Sequence, residues 1–420
     1  MRPYKVLLFI AITMAVIGVL YRAFPDVKLL NTNHYADSTQ NIDTIAEFPV
    51  YEEEPDTVPE EKPQPVIPKI VVDSTTDSRV FLRRFYASLD ESHEQSIRVL
   101  HYGDSQIEED RMTQQIREAL QARYGGSGIG LMPLAQTIPS LTVRQTLYLN
   151  GRFANPSISL QRYMVFGPKS MQRTDGLYGV MGQMAVMNDS LAKGSEDVRA
   201  ICKPAVKTAA LYERWRVLAD SSVHYTMHGD TVDLSGRGNV YGLSQESQTG
   251  VIVDNIPMRG CLGLVFTKMD SMQLATTYRD LNVRLIILQY GGNAIPFNKN
   301  PGTISSIVKG LREQVRYLQS CAPNADILFI GPSDMLTQTD GEWHTYPMVP
   351  YMDKLLRKMA LEENIAYFSL YRWMGGAGSM ARWQEVGLAG SDGVHFNRAG
   401  ARKAGNAVAN WIMVEIQTDE

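Results

Sequence analysis

Hydrophobic positions follow one pattern in residues 77–126 and again in residues 268–420. Short apolar runs alternate there with stretches whose apolar residues recur every three or four positions. Such runs are typical of buried strands, and the longer spacing is typical of amphipathic helices. Alternating strands and helices predict an α/β fold with a parallel sheet covered by helices on both faces. We predict strands at residues 97–102, 283–289, 326–330 and 365–370 and helices at residues 77–92, 111–123, 304–320, 352–363 and 398–414.

Residues 127–267 show a different pattern. Apolar and polar residues alternate in short runs, for example at residues 141–148 and 222–227, and glycine-containing turns separate these runs. Strict alternation favours half-buried strands. We expect a β-sandwich-like domain inserted into the α/β domain. Long irregular loops are the alternative, although a span of this length without secondary structure is uncommon.

The first 24 residues combine a basic lead with an apolar run. Arg2 and Lys5 precede an apolar stretch at residues 6–20. This pattern is typical of signal sequences. Because no small-residue cleavage pattern follows, we expect an uncleaved signal anchor, a transmembrane segment in the inner membrane. The working part of the chain would then be periplasmic or otherwise extracytoplasmic in the cell envelope. A cleaved signal peptide is the alternative.

Residues 25–76 are rich in proline and glutamate and lack hydrophobic periodicity. Such a segment cannot bury enough apolar surface to offset the entropy lost on ordering. We expect a disordered tether between the membrane and the globular part.

Composition narrows the possible functions. The chain has 41 basic and 45 acidic residues and a formal net charge of -4, which gives no reason to expect nucleic acid as a partner. Its cysteines, Cys202, Cys261 and Cys321, have neither the spacing of a metal site nor that of a disulfide framework. We therefore expect no metal and no other cofactor.

Two short motifs supply the residue types of a catalytic triad. The first, Gly103-Asp104-Ser105, follows the strand predicted at residues 97–102, and the second, Asp392-Gly393-Val394-His395, lies near the end of the chain. A serine hydroxyl is a weak nucleophile unless a base takes its proton, and the histidine can supply that base. The aspartate three residues earlier can hold the other ring nitrogen.

Serine acyl transfer also requires donors for an oxyanion. Asn293 follows the strand predicted at residues 283–289 and offers a side-chain amide. Gly260 offers an unobstructed backbone N–H. The sequence thus contains both halves of an acyl-transfer site, if the fold brings these segments together.

Taken in chain order, these four segments resemble the four sequence blocks of the SGNH (GDSL) hydrolases. The resemblance implies a three-layer α/β/α sandwich with a flavodoxin-like strand order. It further implies that Ser105 is the nucleophile and that His395, oriented by Asp392, is the base. The implied oxyanion hole consists of the Ser105 and Gly260 N–H groups and the Asn293 amide. The matching blocks are Gly103-Asp104-Ser105, Gly260, Gly291-Gly292-Asn293 and Asp392-Gly393-Val394-His395.

This chain departs from the family pattern at one position. The third block often continues with an acidic residue, and Ala294 stands there instead. The departure leaves open what supports the Asn293 amide.

Within the family, the chain most resembles peptidoglycan O-acetylesterases, some of which have an anchor or signal and a carbohydrate-binding-module-like β-domain inserted after the first block. This resemblance implies an exported serine esterase that removes O-acetyl groups from cell-wall glycan, with the acetylated glycan as its partner. Two alternatives stay open. One is a glycan O-acetyltransferase that uses the same triad with a membrane acyl-transfer partner, and the other is a non-catalytic glycan-binding surface protein.

Overall fold

The computed structural model describes most of the chain after residue 76. The described residues are 77–134, 136, 139–154, 164–166, 183–187, 197–205, 212–339 and 341–413. The predicted signal anchor and tether, residues 1–24 and 25–76, lie outside them. Among the helices in these ranges, none has the length and apolar content needed to cross a membrane.

Strands are numbered in chain order within the described residues. They are β1 (Ser96–Gly103), β2 (Gly130–Met132), β3 (Val143–Leu149), β4 (Arg152–Ala154), β5 (Met164–Phe166), β6 (Gln183–Met187), β7 (Asp197–Pro204), β8 (Arg214–Ala219), β9 (Val223–His228), β10 (Thr231–Gly236), β11 (Gly238–Glu246), β12 (Gly250–Pro257), β13 (Val283–Gln289), β14 (Asp326–Gly331), β15 (Leu336–Thr339), β16 (Glu342–Thr345) and β17 (Ala366–Ser369).

The central sheet has, among the described strands, the order β12–β1–β13–β14–β17. All of its pairings are parallel. If these five strands are numbered 1 to 5 by their order in the chain, their order across the sheet is 2-1-3-4-5, as in flavodoxin-like folds. Its inner strands are mostly apolar on both faces, as is typical of strands covered by helices on both sides. The predicted α/β class and strand order are confirmed.

Helices cover both faces of this sheet. On one face α1, α2 and α8 bury residues such as Phe85, Ile116 and Val408. On the other, α3, α4 and α5 bury a separate apolar cluster. The result is the three-layer sandwich. The described α-helices are α1 (Arg83–Leu89), α2 (Thr113–Tyr124), α3 (Ser271–Asp280), α4 (Pro301–Cys321), α5 (Met348–Glu362), α6 (Leu370–Met374), α7 (Ser379–Glu385) and α8 (Arg398–Met413).

Between α2 and β12 lies the β-rich insertion. One of its sheets has the order β4–β3–β7–β10–β9, and the other contains β2, β11, β6 and β5, with β8 also paired to β11. Apolar side chains from both sheets, such as Leu147 and Leu234 from one and Leu243 from the other, form one shared core. This arrangement of two sheets around a common core is a β-sandwich.

The expected end of the insertion at residue 267 is wrong. Strand β12, Gly250–Pro257, pairs in parallel with β1 and is the edge strand of the central sheet. Its Val251-Ile252-Val253 run is continuously apolar, the pattern of a strand buried on both faces rather than of an alternating sandwich strand. The Ser247 N–H donates a hydrogen bond to the Ser127 carbonyl (3.2 Å). The insertion therefore leaves and re-enters the α/β domain at one point.

A buried charge cluster joins the sandwich to the central sheet. Arg98 of β1 forms ion pairs with Glu246 of β11 and with Asp254 of β12 (3.2 Å), and all three side chains are at most 1% exposed. Arg216 of β8 binds the other carboxylate oxygen of Glu246 at 2.9 Å. Asp254 also accepts a hydrogen bond from the Leu131 N–H of β2 (2.7 Å). Since an unpaired buried charge is costly, these partners hold the two domains in one arrangement.

Replacing Arg98 by methionine should lower the free energy of unfolding by about 3–5 kcal/mol, because two buried carboxylates lose their shared cation. Urea denaturation followed by circular dichroism measures this loss. The loss should be larger at alkaline than at acidic pH, since Asp254, buried and left without its cation, takes up a proton more readily in the folded protein.

Arg199→Met is the matched control. Arg199 pairs with Asp233 on the surface of the sandwich, where the arginine side chain is 57% exposed. Water already solvates such a pair, so the urea midpoint should hardly move. Equal losses in the two variants would show that burial of the Arg98 cluster is unimportant.

Candidate active site

The nucleophile candidate lies where the first strand of the central sheet ends. Strand β1 ends at Gly103, and Ser105 opens a 3-10 segment, Ser105–Asp110. Asp104 caps this segment by accepting a hydrogen bond from the Gln106 N–H (3.0 Å). The carboxyl edge of a parallel sheet is the usual place for ligand chemistry in such folds.

Ser105, His395 and Asp392 form a hydrogen-bonded relay. The Ser105 Oγ lies 2.8 Å from His395 Nε2, and His395 Nδ1 lies 2.6 Å from Asp392 Oδ2. Partial burial opposes ionisation of Asp392, but hydrogen bonds from the backbone and ring of His395 outweigh it and hold the pKa of Asp392 below its ordinary value. An ionised carboxylate can only accept, so the proton sits on Nδ1 and leaves the Nε2 lone pair for the serine proton.

The segment that carries His395 is a tight local turn. Asp392 Oδ1 accepts hydrogen bonds from the Val394 and His395 N–H groups, both at 2.9 Å. The same carboxylate therefore fixes both the turn and the ring.

Gly260 occupies the turn position that its predicted role requires. The Cys261 N–H donates to the Met258 carbonyl (3.0 Å), and Gly260 has a φ of +70°. These are the marks of a type II turn with glycine third. The turn's own hydrogen bond uses the next N–H, and the space beside the Gly260 Cα is open. Gly260 lines the same cavity as Ser105, so its backbone lies at the candidate site.

Asn293 completes the set of candidate donors. It lies in a short 3-10 turn after β13, and its Nδ2 donates to Asp104 Oδ2 (3.0 Å) and to the Cys261 carbonyl (3.2 Å). These two bonds, rather than a side chain at position 294, support the amide. Ser105, Gly260, Asn293 and His395 all line one cavity of about 450 Å³.

The structure thus brings together every site residue that the sequence pointed to. Asp392 stands behind His395 and does not line the cavity. In the described part of the chain, no group of histidine, cysteine, aspartate and glutamate side chains is arranged to hold a metal ion. The arrangement of a serine, its base and converging donors is that of acyl transfer through a serine.

Asp104 contacts two parts of the candidate site. Besides capping the serine turn, its second oxygen holds Asn293. Burial raises the pKa of Asp104 to about 6, although the hydrogen bond from the Gln106 N–H acts in the opposite direction. Sequence spacing could not reveal this contact, because 189 positions separate Asp104 from Asn293.

Sequence reasoning also missed an ion pair that joins the serine segment to the Gly260 turn. Glu108 lies before the helix predicted at residues 111–123, and its ψ of 158° interrupts the 3-10 segment. Its carboxylate binds Arg259 through two hydrogen bonds of 2.7 and 2.6 Å. The Glu108 side chain is 3% exposed and the Arg259 side chain 68%. This pair holds the residue next to Gly260 against the serine segment.

Comparisons with known proteins agree with this architecture. No protein-family model and no curated protein matches the sequence. Among solved structures, the chain is similar to a peptidoglycan O-acetylesterase, with a TM-score of 0.61 and 19% identity over 80% of this chain and 95% of that one. This likeness confirms the predicted three-layer α/β/α fold.

Two further similarities are weaker. An acetyl xylan esterase has a TM-score of 0.27 and 16% identity over 39% of this chain and 79% of that one. A putative GDSL-like lipase from Parabacteroides merdae has a TM-score of 0.28 and 18% identity over 38% and 74%. TM-scores this low carry no argument about the fold.

Glu108→Gln should lower kcat by roughly 10-fold to 100-fold, since the Gly260 N–H would lose its fixed position and misplacement by about an ångström costs this much. Glutamine keeps the size of the side chain, and the exposed Arg259 is not stranded in the interior. Steady-state hydrolysis of 4-nitrophenyl acetate measures the change. Glu362→Gln, which alters the surface pair with Arg312, is the control and should keep the full rate. An unchanged kcat in Glu108→Gln would contradict the role of the pair.

Asp104→Asn should reduce kcat toward the roughly 100-fold loss that follows removal of an oxyanion donor. Both Asp104 oxygens accept hydrogen bonds, so an amide would turn a donor against the Gln106 N–H or the Asn293 amide. Kinetics with 4-nitrophenyl acetate test this, and Asp270→Asn, at the cap of α3, serves as the control.

Asp104→Asn should also change how the free energy of unfolding depends on pH. The folded-state pKa of Asp104, about 6, lies above its ordinary value of 3.8. Its stabilising contribution is therefore complete below the unfolded pKa and is lost as the pH rises through about 6. Asparagine does not ionise, so the difference in unfolding free energy should shift in favour of the variant between about pH 4 and about pH 7. Urea denaturation across this range would refute the assignment if the difference stayed constant.

Proposed function

We propose that this protein is an exported, membrane-tethered serine esterase that removes O-acetyl groups from cell-wall glycan. The observation that carries the proposal is the Ser105–His395–Asp392 relay, which faces a cavity shared with two candidate oxyanion donors. The peptidoglycan O-acetylesterase of similar fold supports the choice of substrate class. Export and tethering rest on the signal-anchor and tether patterns of residues 1–76.

Acylation begins at the serine. His395 Nε2 takes the Ser105 hydroxyl proton while Oγ forms a bond to the acetyl carbonyl carbon. The carbonyl oxygen becomes an oxyanion, which the Ser105 and Gly260 N–H groups and the Asn293 amide stabilise. His395 then gives its proton to the sugar oxygen, the bond from that oxygen to the acetyl carbon breaks, and the glycan leaves with a free hydroxyl.

Deacylation repeats these steps with water. His395 takes a proton from a water molecule, whose oxygen attacks the acetyl-serine carbonyl carbon. The bond to Ser105 Oγ breaks, acetate leaves and the proton returns to Oγ. The sum of the two halves is ester plus water giving alcohol plus acetic acid, which ionises to acetate and a proton in solution.

The Asn293 amide must turn slightly to take part. Of its two hydrogen bonds, the one to the Cys261 carbonyl is longer, at 3.2 Å. We expect this N–H to move to the oxyanion while Asp104 keeps hold of the other. Catalytic hydrogen bonds often tighten only in the complex with substrate.

The open position of the base suits a bulky substrate. The His395 side chain is 36% exposed. A polymer with an ester near its backbone can therefore approach the relay without entering a deep tunnel. In this proposal the β-sandwich contributes to binding of the glycan.

Ser105→Ala should reduce acetate release from O-acetylated peptidoglycan by roughly 10⁴-fold or more, as loss of a nucleophile does in other serine hydrolases. Released acetate is measured enzymatically, with acetylated xylan assayed in parallel. Ser320→Ala, at the exposed end of α4, is the control and should keep the wild-type rate.

Three outcomes would overturn the proposal. Full activity of Ser105→Ala would exclude the serine mechanism. Transfer of acetyl groups to an added glycan acceptor, without free acetate, would make the protein a transferase. Glycan binding with no reaction toward a fluorophosphonate probe would make it a binding protein.

A further inference from the structure

We propose that Gln106 is a positioning residue for the catalytic base: its side-chain amide locates the His395 turn against the serine, and Arg111 supports the same contact. The inference rests on the proposed function only in that His395 must act as the base for Ser105.

The Gln106 amide holds the backbone on both sides of His395. Its Nε2 donates to the Val394 carbonyl at 2.8 Å, and its Oε1 accepts from the Phe396 N–H at 3.4 Å. Val394 and Phe396 are the residues directly before and after the histidine. One side chain therefore binds the histidine turn much as a neighbouring strand would.

The position of Gln106 in the chain gives this contact its meaning. Gln106 directly follows Ser105, so its backbone moves with the nucleophile. Its N–H is also fixed by Asp104 Oδ1 (3.0 Å). A short rigid path thus connects the serine to the backbone of its base, although 290 positions separate the two in sequence.

Asp392 cannot supply this positioning. It lies three residues from His395, and its hydrogen bonds orient the ring within the turn. They do not determine where the turn as a whole lies relative to Ser105. Orientation and location therefore depend on different side chains.

Arg111 makes a second link of the same kind. Its Nη1 donates to the Phe396 carbonyl (3.1 Å), and its Nη2 donates to the Ser105 carbonyl (3.0 Å). The planar guanidinium thereby spans the serine turn and the histidine turn, which a lysine ammonium cannot reproduce with fixed geometry.

Another contact keeps the histidine turn folded when Gln106 is changed. The Leu336 N–H of β15 donates to the Gly393 carbonyl at 2.8 Å. Loss of the Gln106 amide should therefore shift His395 by a fraction of an ångström to about an ångström and leave the fold intact.

The test is Gln106→Met, which keeps the length of the side chain and removes both polar atoms. With 4-nitrophenyl acetate, kcat should fall roughly 10-fold to 100-fold while KM changes little, because the loss affects proton transfer rather than binding. The second-order rate of Ser105 labelling by a fluorophosphonate should fall by a similar factor. Arg111→Lys should change the same two rates in the same direction.

Gln121→Met is the matched control. The Gln121 amide also donates to two backbone carbonyls, those of Gly128 and Val251, each at 3.1 Å, but at the start of the insertion. Its loss should reduce stability and leave kcat at the wild-type value. Thermal unfolding of both variants separates a structural loss from a catalytic one.

A double variant decides whether Gln106 acts through the base. In a His395→Ala background, Gln106→Met should cause no further loss of the residual rate, since the group that it positions is already gone. A further loss as large as in the wild type would mean that Gln106 acts on the substrate directly and would overturn the inference. A wild-type kcat in Gln106→Met would also overturn it.

Ser105→Ala in the same assay reports on the proposed function separately. An inactive Ser105→Ala with a fully active Gln106→Met overturns only the positioning role. An active Ser105→Ala overturns both.

Discussion

The 2.8 Å contact between the Ser105 hydroxyl and the His395 imidazole is the constraint on which the rest of the site depends. Proton transfer tolerates little more than this distance, so two segments 290 positions apart must meet within a fraction of an ångström. A parallel sheet brings them close, because the turns after β1, β13 and β14 all lie at one edge. Side-chain contacts between the turns then provide the remaining precision.

The segment from Ser105 to Arg111 makes many of these contacts because it is not a regular helix. Glu109 and Asp110 have φ values of 62° and 66°, a backbone conformation that costs free energy in residues other than glycine. Arg117 holds the second of these residues through two hydrogen bonds, of 2.6 and 3.0 Å. The irregular backbone lets successive side chains point to the base turn, the Gly260 turn and the interior.

The insertion shows how local pattern and topology can disagree. Residues 250–257 follow the ten described β-strands of the sandwich directly in the chain. For that reason the sequence pattern predicted that they belong to the sandwich. Their continuous apolar run was the local signal against that assignment. Arg98, Glu246 and Asp254 show why the strand matters: their buried cluster ties both ends of the insertion to the central sheet. Nothing in the spacing of these three residues predicts their pairing.

The sequence by itself determined four of the five strands of the central sheet, all except β12, and the residue types of the site. Hydrophobic periodicity is a local signal, and residues 283–289 form β13 as predicted. The pairing of Asp392 with His395 could also be predicted, since the two residues are only three positions apart. Only the tertiary structure decided that Gln106 meets the His395 turn and that Glu108 meets Arg259. Such contacts join distant segments through single side chains, and a contact that depends on how two turns meet leaves no periodic trace along the chain.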